Sequence, residues 1–92
     1  MRTAERYDAW TVGQSYDHYM GRWSAMVADR FLDWLNAPGA ANWLELGCGT
    51  GALTSAILGR CAPGSVLATD ASEDFVFHAQ EAIMDPRARF RV

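Results

Sequence analysis

Trp43-Leu44-Glu45-Leu46-Gly47-Cys48-Gly49-Thr50-Gly51 is the stretch from which the rest of this chain can be read. A short apolar run reads as a strand with Glu45 near its end, and glycines stand directly after it at Gly47, Gly49 and Gly51. Ala52-Leu53-Thr54-Ser55-Ala56-Ile57-Leu58 then opens as a helix. Strand, glycine turn and helix are how an α/β sheet builds a small-molecule cradle at the carboxyl end of its first strand. Glycine serves there because the turn can require positive φ and because a side chain would hold a ligand off the backbone. The first N–H groups of the helix face whatever polar or anionic group sits in the cradle. The stretch predicts a cofactor site.

The spacing selects among cofactors. Gly47, Gly49 and Ala52 satisfy the looser dinucleotide pattern G-x-G-x-x-G/A. A third glycine at Gly51, with Glu45 two places before the first, makes the pattern E-x-G-x-G-x-G instead. That pattern resembles motif I of the class I S-adenosyl-L-methionine-dependent methyltransferases, where the wording Leu46 to Gly51 is common. The resemblance implies a Rossmann-like fold and S-adenosyl-L-methionine as cofactor. It also implies that Glu45 orients the loop and the cofactor's amino end, while Gly47, Cys48, Gly49 and Gly51 form the loop that admits its amino-acid portion.

Downstream, Ser65 to Thr69 reads as a second, apolar strand of the kind found inside parallel sheets. Asp70 falls at its tip, where such folds hold a ribose by its hydroxyls. The matching acid does this in the methyltransferase family, and the same resemblance would set Ala71 beside the adenine edge. Ser72 is a candidate cap for a helix in which Phe75, Val76, Ala79, Ala82 and Ile83 keep the helical period. Asp85-Pro86 is expected to stop it, and His78, offset from the apolar stripe, is expected to be exposed. Ala88, Phe90 and Val92 alternate with Arg89 and Arg91 as a third strand, and the chain ends within it.

Upstream, Ser24 to Asn36 predicts a helix ended by Asn36-Ala37-Pro38-Gly39, Pro38 barring helix at the residue before and Gly39 easing the turn. Its stripe of Trp23, Met26, Val27, Phe31, Trp34 and Leu35 is expected to be core against the sheet. Before it, Gly13 is a candidate break and Ser15 a candidate cap, after which Tyr16, Tyr19, Met20 and Trp23 share one helical face. Two readings of these rings stand. They pack on the domain, or they roof the cofactor, since aromatic faces attract a sulfonium as they attract ammonium. Tyr16 to Ser24 is similar to the leader of bacterial methyltransferases related to the quinone-biosynthesis enzymes. That likeness makes Tyr16 a cofactor-site candidate, with Tyr19 and Arg22 beside it, whereas His18 reads as a solvated helix residue. The expected organisation is a helical leader or lid over residues 1–40 and a cofactor-binding unit over residues 41–92.

Composition narrows the function classes. The formal charge is -3, all eight basic residues are arginine, and no basic stripe recruits nucleic acid. No apolar stretch could span a bilayer, and the first residues lack a signal-peptide core. Cys48 and Cys61 follow no ligand spacing, so they read as reduced thiols of a cytoplasmic protein without a metal.

The family's sheet has seven strands and this chain supplies three, so the expected fold is the incomplete first half of an α/β domain. Either the chain is truncated, or it completes itself by association, as a homo-oligomer through the open edge of its first strand. The leading functional reading is the cofactor-binding portion of a methyltransferase acting on a small-molecule acceptor. A non-catalytic remnant or interaction module is the alternative. A nicotinamide-dependent oxidoreductase domain is a third, against which Gly51, Glu45 and the aromatic leader count. No catalytic acid or base is assigned, and the accepting nucleophile stays open.

Overall fold

A computed structural model describes residues 20–92. The expectations on Gly13, Ser15, Tyr16, His18 and Tyr19 lie outside the described residues. Within them, helix α1 covers residues 20–35 and is followed by β1 (Asn42–Leu46), α2 (Ala52–Arg60) and β2 (Ser65–Thr69). Helix α3 (Glu73–Ala82) and β3 (Ala88–Arg91) complete the order. The three strands form a parallel sheet in the order β1-β2-β3, with Asn42 opposite Ser65 and Val66 opposite Ala88. The fold is therefore the expected α/β arrangement, with β1 at one edge. No helix among the described residues is long and apolar enough to cross a membrane.

The central strand is the driest part of the sheet. Val66 and Ala68 are fully buried, as a strand paired on both sides and covered by helices requires. Ile57 of α2 and Leu32 of α1 meet Val66 in the core, with Trp43, Leu53 and Leu58 packed around them. Burying a side chain of this size contributes about 1.5–3 kcal/mol. At the far end, Arg87 grips Asp85 through Nε and Nη2 and donates from Nη2 to the Leu58 carbonyl at 3.2 Å. These bonds tie the end of α2 to the turn that feeds β3. They also hold the Asp85 carboxyl down at about 2, chiefly through the Arg87 side chain.

Four expectations on the helices need correction. First, α1 is already continuous from residue 20, so no boundary falls at Ser24. Second, its aromatic stripe is not core: Trp23, Met26, Val27, Phe31, Trp34 and Leu35 are exposed, and the helix buries Ala28 and Leu32 instead. The small Ala28 lets the helix approach closely, so a narrow face suffices for docking. Arg60 adds a 3.6 Å ion pair to Asp29 and a bond to Asp33, all at the surface, where such pairs contribute little.

Helix α1 ends at the expected Asn36, which takes φ 49 and donates its N–H to the Leu32 carbonyl at 3.0 Å. Asparagine tolerates that left-handed stop, and Gly39 lies in the turn that follows. Third, α3 closes at Ala82, not at Asp85-Pro86, and Ile83 is extended with φ -112 and ψ 99. Its side chain reaches under Gly51 rather than continuing the helical stripe. Ser72 does cap α3, accepting from the Phe75 N–H at 3.2 Å. Fourth, His78, expected exposed, is buried beside Val76 and Ala79.

Candidate cofactor site

The loop between β1 and α2 alternates into the left-handed region, with φ of 78 at Gly47, 56 at Gly49 and 97 at Gly51. A side chain at such angles costs about 1–2 kcal/mol per residue, which accounts for glycine at every second position. The loop leans on the end of β2. Gly47 and Cys48 both donate their N–H to the Thr69 carbonyl at 2.8 Å. Gly49 donates to Asp70 Oδ2 at 2.9 Å, while Ser72 donates to Asp70 Oδ1 at 2.8 Å. Thr69 Oγ1 completes the seam by donating to the Glu45 carbonyl at 3.1 Å.

Glu45 is buried and accepts a 2.6 Å hydrogen bond on Oε1 from Thr54 Oγ1, a side chain with no exposure at all. Burial pushes the Glu45 carboxyl up from its ordinary range, and the Thr54 bond draws it partly back. Burial also pushes the Cys48 thiol up to about 11, with the Glu45 and Asp70 charges adding to the effect. Alkylation needs the thiolate. Cys61, which is less buried, should therefore be modified by iodoacetamide well before Cys48, by at least about tenfold near pH 8. Timed peptide mapping reads this directly, and equal rates would contradict the buried loop.

A cavity of about 420 Å³ opens between the glycine loop and α1. Glu45, Gly47, Cys48 and Gly49 line one side, and Met20, Trp23, Val27 and Phe31 line the other. Four of the expected site residues thus share one cavity. Gly51 does not face it: it is buried at the start of α2, against Ile83 and Ala79. Asp70 joins the site through its bond to Gly49. Ala71 follows it, exposed, and Tyr16 lies outside the described residues. Sequence reading missed Thr54, which shares the first turn of α2 with a second hydroxyl, Ser55, so residue type alone does not single it out. It also missed the use of the Thr69 carbonyl, which no side-chain pattern announces.

A parallel α/β half-sheet with a left-handed glycine loop after β1 and an acid after β2 defines a nucleotide-type cofactor fold. Residues 44–92, over half of the chain, match the profile of the family described as "Methyltransferase domain", and the chain belongs to that family. Solved structures agree on the fold. A chain in the Haloferax volcanii complex of the Trm112 methyltransferase activator with a methyltransferase superposes with TM-score 0.72 and 18% identity, over 92% of this chain and 37% of that one. A Methanococcus maripaludis protein assigned to the S-adenosyl-L-methionine-dependent methyltransferases gives 0.74 and 17%, over 92% and 40%. The TehB-like SAM-dependent methyltransferase of Corynebacterium glutamicum gives 0.57 and 25%, over 85% and 44%. The chain thus spans about two fifths of the length of these proteins. No curated protein matches it.

Proposed function

We propose that this chain is the cofactor-binding portion of an S-adenosyl-L-methionine-dependent methyltransferase acting on a small-molecule acceptor. The observation that carries the reading is the bridge from Gly49, which lines the cavity, to Asp70, which joins the glycine loop to the tip of the neighbouring strand. The residues suit the group. A Cβ built on Gly47 or Gly49 would meet nothing within 4 Å, so the space over the loop is open to a ligand's amino-acid portion. Among the described residues Glu45 offers the one carboxylate in the cavity lining, suited to an ammonium. Asp70 has lone pairs left for a ribose, and the exposed Ala71 lies next to it for the adenine edge. Trp23 and Phe31 supply ring faces for a sulfonium.

When bound, the cofactor supplies a methyl group already activated by positive sulfur. The chain's own residues orient and shield it: Glu45 and the loop hold the amino-acid end, Asp70 the ribose, and α1 closes one wall against water. The acceptor would lie against that apolar wall. The β1 edge, unpaired among the described residues and flanked by exposed Leu44 and Leu46, supports association with a second copy. The two free cysteines support a cytoplasmic setting.

Calorimetric titration with S-adenosylhomocysteine and, separately, with NAD tests the reading. Saturable binding of the first alone is expected. Preference for NAD would replace this reading with an oxidoreductase domain, and a folded chain that binds neither would point to a non-catalytic remnant.

A further inference from the structure

We propose that Asp70 is a positioning residue for the glycine loop as well as a ligand contact, its carboxylate fixing the loop's conformation before any cofactor arrives. A loop with glycine at every second position has unusual backbone freedom, and ordering it has a large entropic cost. Thr69 restrains only its first two N–H groups, those of Gly47 and Cys48. The next N–H outward, at Gly49, is held by Asp70 Oδ2 at 2.9 Å.

Asp70 is itself fixed at both ends. Its N–H donates to the Arg91 carbonyl of β3 at 3.2 Å, and its Oδ1 accepts from Ser72 at 2.8 Å. The carboxylate therefore spans from the body of the sheet to the crest of the loop, through charge-assisted bonds that are stronger than neutral ones. An ionised carboxylate has about four acceptor positions, and two are used here. The remaining two match a vicinal diol, so ribose hydroxyls can bond to Asp70 without releasing Gly49. Loop order and ribose recognition then reside in the same side chain. Losing it should weaken the hold on the amino-acid end of the ligand, which Asp70 does not touch.

Asp70→Asn separates this from simple ribose contact, because an amide presents one acceptor and one donor where two N–H groups converge. In the ligand-free wild-type protein the Gly49 amide should be protected from hydrogen exchange. In Asp70→Asn it should exchange faster by about tenfold or more, while Val66 and Ala68 in β2 keep their protection. A Gly49 amide that exchanges at the open-chain rate in the wild-type protein overturns the proposal without any variant. So does a Gly49 rate that Asp70→Asn leaves unchanged.

Binding gives a second, separable reading, and this part rests on the cofactor assignment above. S-adenosylhomocysteine and its 2′,3′-dideoxy form are titrated into both proteins as a double-mutant cycle. Ribose contact alone predicts that Asp70→Asn leaves the affinity for the dideoxy ligand unchanged, which would overturn the positioning role. The proposal predicts a loss of about tenfold for the dideoxy ligand too. If neither ligand binds the wild-type protein, the cofactor assignment fails, while the exchange experiment still decides the loop.

Discussion

Gly51→Ala should destabilise the fold by about 1–3 kcal/mol, although alanine is the better helix former. Gly51 sits at the start of α2 with φ 97, and an added Cβ would lie 2.6 Å from Ile83 Cδ1 and 3.5 Å from Ala79 Cβ. The Ile83 methyl can shift, so the backbone angle supplies most of the cost. The contrast is Gly59, inside α2, where a Cβ meets nothing within 4 Å. Gly59→Ala should stabilise by about 0.5–1 kcal/mol through the lost entropy of the unfolded chain. Urea midpoints of the two variants should therefore move in opposite directions. Movement in the same direction would mean that the loop does not have this geometry.

Thr54→Val keeps the volume of a wholly buried side chain and removes its hydroxyl. The loss should be about 1–3 kcal/mol at neutral pH, because Glu45 then keeps its burial without its donor. The pH dependence has a definite sign. Burial raises the Glu45 carboxyl in the folded state, so its contribution is fully present below the unfolded value and is lost as pH rises through the folded one. Thr54 opposes that rise. Without it the folded value moves higher still, and more stability is lost on reaching neutrality. The destabilisation by Thr54→Val, from denaturant unfolding, should accordingly be larger at about pH 7.5 than at about pH 4. Equal losses at the two would show that Glu45 does not titrate with the fold.

Much of the architecture could be read from local signals, because each element carries its own punctuation. The bounds of α2 and β2 follow from the glycine loop before them and from Ala62-Pro63-Gly64 between them. Ser72 marks the start of α3 as a capping residue should. What stayed hidden depends on which neighbour wins a face. The α1 pattern shows a broad apolar stripe, yet docking uses Ala28 and Leu32, since a small residue permits close approach where tryptophan would not. The same limit hid His78, buried against its period, and the early end of α3, where Ile83 leaves the helix to lie under Gly51. At the candidate site, Glu45, Gly47, Gly49 and Asp70 were nameable from spacing and family likeness. The Thr54 bond joins a strand to a helix across the loop, and only the folded chain brings the two together.

Strand order has a consequence for how the chain forms. Each strand pairs with its immediate successor in sequence, β1 with β2 and β2 with β3. Among the described strands no pairing waits for a distant partner to be synthesised, so these three can assemble in the order in which the polypeptide leaves the ribosome. The bonds from Gly47 and Cys48 to Thr69, and from Gly49 to Asp70, all lie within the first β-α-β unit. The loop's own bonds therefore call on no residue beyond Asp70, while β3 adds the bond from the Asp70 N–H to the Arg91 carbonyl.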